Sequence, residues 1–105
     1  MKHRRLKRKQ KQMNRLYVLI DAQYPVDYRA VQGAHAVAAH VLTFPNKWKN
    51  ETLVFLKTDE IHSWHNMFLK AKRDFAAFHE PDVNNKLTAL AIVDDGKIFR
   101  HLELS

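Results

Sequence analysis

A continuous apolar run, Leu16-Tyr17-Val18-Leu19-Ile20, followed after a short polar loop by an alanine-rich helical stretch, constrains this chain more than any other feature. The run is rich in β-branched and aromatic residues and too short for a helix, so it predicts a central strand buried on both faces. Asp21 ends it, and a loop through Gln23, Tyr24 and Pro25 follows. Ala30 to Leu42 then predicts a helix, with Gln32 and His35 set among small residues that let it lie close to a sheet. A strand, a polar turn and a closely packed helix make the first half of a β-α-β unit.

The remaining chain continues that pattern. Pro45 disfavours helical geometry at Phe44 and ends the helix there. Thr52 to Leu56 predicts a second buried strand, and Thr58, Asp59 and Glu60 supply a cap and acids at a helix start. Ile61, Trp64, His65 and Phe68 follow at the spacing of an amphipathic helix that ends near Lys72. Phe75 to Phe78 predicts a short third strand. The polar stretch His79 to Lys86 interrupts the pattern before a fourth strand, Thr88 to Val93. Asp95-Gly96 is a two-residue hairpin signal, with Lys97 to Leu102 returning as an edge strand. The expected class is α/β: a single domain with two main helices and a mixed sheet of four to five strands, in order β-α-β-α-β-β-β, as a two- or three-layer sandwich. Right-handed crossovers make the first three strands parallel and leave the last pair at least partly antiparallel.

Charge divides the chain into two parts. The net charge is +7, yet residues 1–15 carry Lys2, Arg4, Arg5, Lys7, Arg8, Lys9, Lys11 and Arg15 with no acid. The other 90 residues hold 10 basic against 11 acidic side chains, so the folded part, 16–105, is close to neutral. A like-charged block repels itself and predicts a disordered tail whose commonest partner is a polyanion, RNA or DNA; the alternative is a solubilising extension. Leu6 and Met13 make a poor apolar face for an anionic membrane. No apolar run approaches the ~20 residues that span a bilayer, and the basic start lacks the apolar core of a secretory signal. There is no cysteine, which suits a reducing compartment. A cytoplasmic protein is expected.

Parallel strands place ligands beyond their carboxyl ends. Asp21 and Gln23, Lys57 and Thr58, and His79, Glu80 and Asp82 all fall there, and Thr88 starts a strand running back from the same rim. A carboxylate from Glu80 or Asp82 can orient or deprotonate water, while Lys57 or the Thr88 hydroxyl stabilises a developing oxyanion. That set suits hydrolysis of an activated ester without a metal or other cofactor. The alternatives are an ordinary acidic turn at Glu80-Pro81-Asp82, a solvated Lys57 and a Thr88 chosen as a strand former. His35, mid-helix, suits a packed, hydrogen-bonded role. His62 and His65 stand three apart with no third ligand placed by sequence, so no metal site is expected. Nucleotide loops and a serine elbow are lacking.

Tyr17 to Asp21, followed by Ala30-Val31-Gln32-Gly33-Ala34-His35-Ala36, resembles the type II peptidyl-tRNA hydrolases of archaea and eukaryotes, whose first helix carries a similar A-A-Q-x-x-H-A run. Leu53 to Glu60 resembles their second strand, with its terminal lysine and acidic helix start. Glu80 to Ile92 resembles a shortened form of their catalytic loop and following strand. The likeness runs from Leu16 to the C-terminus. It departs at Tyr24-Pro25-Val26-Asp27-Tyr28-Arg29, which replaces a glycine- and lysine-rich lead, and at the shorter loop between acid and threonine. The resemblance implies cleavage of the ester of peptidyl-tRNA, or of a related N-blocked aminoacyl-tRNA. Catalytic roles would fall on Glu80 (or Asp82) and Thr88, assisted by Lys57, with Gln32, Arg29 and His35 at the tRNA end and the basic tail on phosphates. Two alternatives share the scaffold: a non-catalytic RNA-binding module, and an interaction domain using the edge strand. A sheet edge or helix face also offers a route to a homodimer.

Overall fold

In a computed structural model, which describes residues 15–105, the chain forms a three-layer α/β domain. β1 (Arg15–Asp21) is followed by α1 (Val26–Thr43), β2 (Thr52–Thr58), α2 (Ile61–Lys70), β3 (Phe75–Glu80), β4 (Lys86–Val93) and the two-residue β5 (Glu103–Leu104). The five strands form one sheet in the order β3-β4-β1-β2-β5. β1 and β2 are parallel neighbours, while β4 lies antiparallel between β1 and β3. β1, β2 and β3 therefore run the same way, as expected, although β3 is separated from β1 by β4.

β1 is the centre of the sheet, and its alternation divides the core in two. Leu16, Val18 and Ile20 face α1 and pack with Ala36, Ala89 and Ala91. Tyr17 and Leu19 face the other way and pack with Leu56, Ile61, Phe68, Leu90, Ile92 and Phe99. The first crossover moves the chain one way across the sheet and the second carries it back past β1. Right-handed crossovers travelling in opposite directions put their helices on opposite faces. α1 approaches its face closely at Gly33, where a Cβ would lie 2.5 Å from Phe55 Cε2 and 2.9 Å from Ile20 Cδ1.

The sequence reading is corrected at three places. α1 begins at Val26 rather than Ala30, with extended Pro25 as its N-cap. β3 runs on to Glu80, and β4 starts at Lys86, joined by a 3-10 turn (Pro81–Val83) and two left-handed residues, Asn84 and Asn85. The Asp95-Gly96 hairpin does not form. Both edges of β4 are already taken by β1 and β3, so a returning strand has nowhere to pair. Lys97–Phe99 is instead a 3-10 turn that buries Phe99 against Tyr17 and Trp64, with ring centroids 5.1 Å apart in each case. Asp94 and Asp95 hold this turn by accepting the Gly96 and Lys97 amides. The short β5 then pairs with β2 at the opposite edge. The basic residues Lys2, Arg4, Arg5, Lys7, Arg8, Lys9 and Lys11 lie outside the described residues.

Candidate functional site at the carboxyl rim

The acid and the threonine picked out at the rim meet through Gln32. Thr88 Oγ1 donates to Gln32 Oε1 at 2.5 Å, and Gln32 Nε2 donates to Glu80 Oε1 at 2.9 Å. Three elements contribute, α1, β3 and β4, and each side chain depends on a local device. Gln32 sits on the buried face of α1, fully covered. Glu80 ends β3, where its carbonyl accepts the Asn85 amide and the double left-handed Asn84-Asn85 turn closes the hairpin tightly. Asparagine tolerates that conformation better than most residues.

Thr88 reaches Gln32 because of a β-bulge. The pairing steps from Phe78 with Ala89 to His79 with Leu87, leaving Thr88 as the extra residue. Leu87 and Leu90 face α2, and Ala89 faces α1. Counted back from Leu90 and Ala89, strict alternation would turn Thr88 toward α2; the bulge puts it on the α1 side with Ala89, a use of bulges to re-aim one side chain.

This chain is dry except at one end. Thr88 and Gln32 are 0% exposed and Glu80 is 7% exposed, so Glu80 alone borders water. The Thr88 hydroxyl is committed to Gln32 and has no surface open to solvent. That bond fixes the Gln32 amide, which in turn fixes one oxygen of Glu80.

The other expected residues spread along the rim. Asp82 is exposed in the 3-10 turn beside Glu80. Lys57 lies on β2, three strand spacings from β3, roughly 14 Å. Its ammonium approaches Glu103 on β5 at 3.9 Å, with side chains 36% and 82% exposed, a contact worth little. An open depression there is lined by Ala22, Lys57, Thr58, Asp59, Glu60, His101 and Glu103. Thr58 Oγ1 accepts the Glu60 amide, shaping the start of α2. Asp21 holds Gln23 through that residue's amide and side chain. His35 is exposed and lies flat on Phe78, with centroids 4.4 Å apart, in place of the hydrogen bond expected for it.

Arg29 is fixed on both sides by neutral groups. Its Nε donates to Ser105 Oγ at 3.0 Å and its Nη1 to the Tyr24 carbonyl at 2.7 Å. Two residues at the rim were not among those expected. Tyr24 and Tyr28 pack with ring centroids 5.1 Å apart. Partial burial raises the Tyr28 hydroxyl above its ordinary range, and the carboxylates of Glu80 and Asp82 add to that effect. Tyr24 is raised likewise by burial and then by Asp21. The signal in the sequence was two tyrosines four apart across the start of α1.

These features define a three-layer α/β domain with a sealed polar relay ending in a carboxylate at the carboxyl rim. No protein-family model matches the chain, and no curated protein matches it by sequence. Among solved structures, the fold is similar to that of a protein of unknown function from Agrobacterium tumefaciens. The TM-score is 0.65 and the identity 14%, over 87% of this chain and 96% of that one. No helix among the described residues is long and apolar enough to cross a membrane.

Proposed function

We propose that this chain hydrolyses the ester bond of peptidyl-tRNA, or of a related N-blocked aminoacyl-tRNA, releasing peptide and free tRNA in the cytoplasm. The observation that carries the reading is the relay Thr88–Gln32–Glu80, which joins the acid and the threonine marked by the resemblance to type II peptidyl-tRNA hydrolases. Gln32 occupies one Glu80 oxygen, leaving the other to accept a proton from water. That water attacks the ester carbonyl carbon and Glu80 takes its proton. The tetrahedral species then expels the ribose oxygen, which recovers the proton from Glu80. In this scheme Glu80 is the catalytic base, while Gln32 and Thr88 are positioning residues. Asp82 supplies a second nearby charge. Lys57 is too far along the rim to serve the same bond and is left to phosphate contacts, with Arg29, His35 and the basic segment.

The test is hydrolysis of N-acetyl-aminoacyl-tRNA against free aminoacyl-tRNA. Glu80→Gln is expected to lower turnover by about 10²–10⁴, the ordinary contribution of a general base. A wild-type rate in that variant removes Glu80 from the mechanism.

A second reading, RNA binding without catalysis, is favoured by the complete burial of Thr88 and Gln32 and by the remoteness of Lys57. Affinity then comes chiefly from the basic residues before β1. With about five of them engaged on single-stranded RNA, the log-log salt slope is roughly −3.5. Deleting residues 1–14 is expected to flatten that slope; an unchanged slope dismisses the segment as the anchor.

A further inference from the structure

Tyr24 and Tyr28 belong to neither half of the core. Both rings are half-buried, and neither hydroxyl has a hydrogen-bond partner among the described residues. Beside them, Arg29 is partly buried, held by a hydroxyl and a carbonyl, and ion-paired with no acid among the described residues. Among the described residues its Nη2 has no hydrogen-bond partner. A preorganised guanidinium with neutral partners and a free edge is suited to an anion, and its planar fork matches phosphate. Aromatic rings next to such a cation are a common way for proteins to hold single-stranded nucleic acid.

The position is as informative as the chemistry. Tyr28 and Gln32 are four apart on α1 and so lie on adjacent turns of one face, with Cβ atoms about 5–6 Å apart. Gln32 is the residue that holds Glu80.

We propose that Tyr24 and Tyr28 seat the 3′-terminal nucleoside of the RNA by stacking on its base, while Arg29 takes the phosphate on its 5′ side. This inference rests on the esterase reading above and names the part of the substrate that reading leaves unplaced. The ester to be cut is carried on the ribose of that same terminal nucleoside. Seating its base one helical turn from Gln32 therefore brings the ester to Glu80. Stacking tolerates any base, so the seat requires that a base be present rather than a particular identity.

The experiment uses the full chain and an uncharged acceptor-stem RNA hairpin ending in CCA, with binding followed by fluorescence anisotropy at one fixed salt concentration. The comparison RNA is abasic at its last residue. Wild-type protein is expected to bind the abasic RNA about 5- to 150-fold more weakly, the usual loss for one stacked base. Tyr28→Ala is expected to lose the same factor on intact RNA and little more on the abasic one, while Tyr28→Phe stays within about twofold of wild type. Equal binding of the two RNAs by wild-type protein overturns the seat, and that result needs no variant to fold. Full base discrimination in Tyr28→Ala overturns it too. The esterase reading fails separately: base discrimination with no turnover in wild-type protein keeps the seat and removes the reaction. Turnover with no base discrimination does the reverse.

Discussion

Thr88→Val is the sharpest perturbation of the relay. Valine keeps the volume and β-branching of threonine and suits a strand well, so packing alone predicts no loss. What it removes is the donor to Gln32 Oε1, and both partners are 0% exposed. Water cannot replace that donor without opening the layer between α1 and β4. A buried acceptor left unpaired costs about 1–3 kcal/mol. For a domain of this size each kcal/mol moves Tm by about 4–8 °C, so the melting point is expected to fall by roughly 4–24 °C. Urea denaturation should show a lower midpoint at unchanged slope, the mark of a stability change without a change in compactness. Thr88→Ser, which keeps the hydroxyl, should lie closer to wild type than valine does. A cycle isolates the contact. In a Gln32→Met background the acceptor is gone, so Thr88→Val should cost at least ~1 kcal/mol less than in wild type. A valine variant as stable as wild type, or equal costs in both backgrounds, refutes the argument that the bulge exists to commit Thr88 to Gln32.

Two further outcomes follow from the core. Gly33→Ala would gain ~1 kcal/mol of helix propensity, but its Cβ would meet the Phe55 ring at 2.5 Å, and overpacking of this kind costs about 1–3 kcal/mol; the net change by denaturant titration should be destabilising, and a gain in stability would show that α1 can lift freely. His40 is fully buried with neither ring nitrogen bonded among the described residues, and burial, reinforced by Lys47 and opposed by Asp74, lowers its pKa. The unfolded chain therefore binds a proton more readily than the folded one, so stability holds above about pH 6.5 and falls as the pH drops toward the folded value. His40→Leu should flatten that decline; an identical pH profile in the variant would assign it to other groups.

Much of the architecture was readable because local signals and global packing agree. The run from Leu16 to Ile20 has no charged or amide side chain to offer water, which marks it as a strand covered on both faces, and it is the centre of the sheet. The spacing of Ile61, Trp64 and Phe68 required one apolar helix face, and Pro45 required an end to α1 just before it. At the rim, Glu80 and Thr88 stood out by residue type, and the crossovers implied that they share one end of the sheet, while a role for Gln32 came only from the family resemblance.

Other features depended on contacts remote in sequence. Asp95-Gly96 has the chemistry of a hairpin turn, yet whether a hairpin forms depends on whether β4 has a free edge, and β3 occupies it. Lys57 and Glu80 both lie at the carboxyl ends of strands, but the insertion of β4 beside β1 sets the distance between them. Thr88 looked like a strand former whose side alternation would set; a one-residue slip against β3 turned it over. Residue chemistry by itself determined which segments were strands and helices and which groups could react. Only the tertiary pairing decided which of those groups touch, because strand order and register are fixed by hydrogen bonds between segments tens of residues apart.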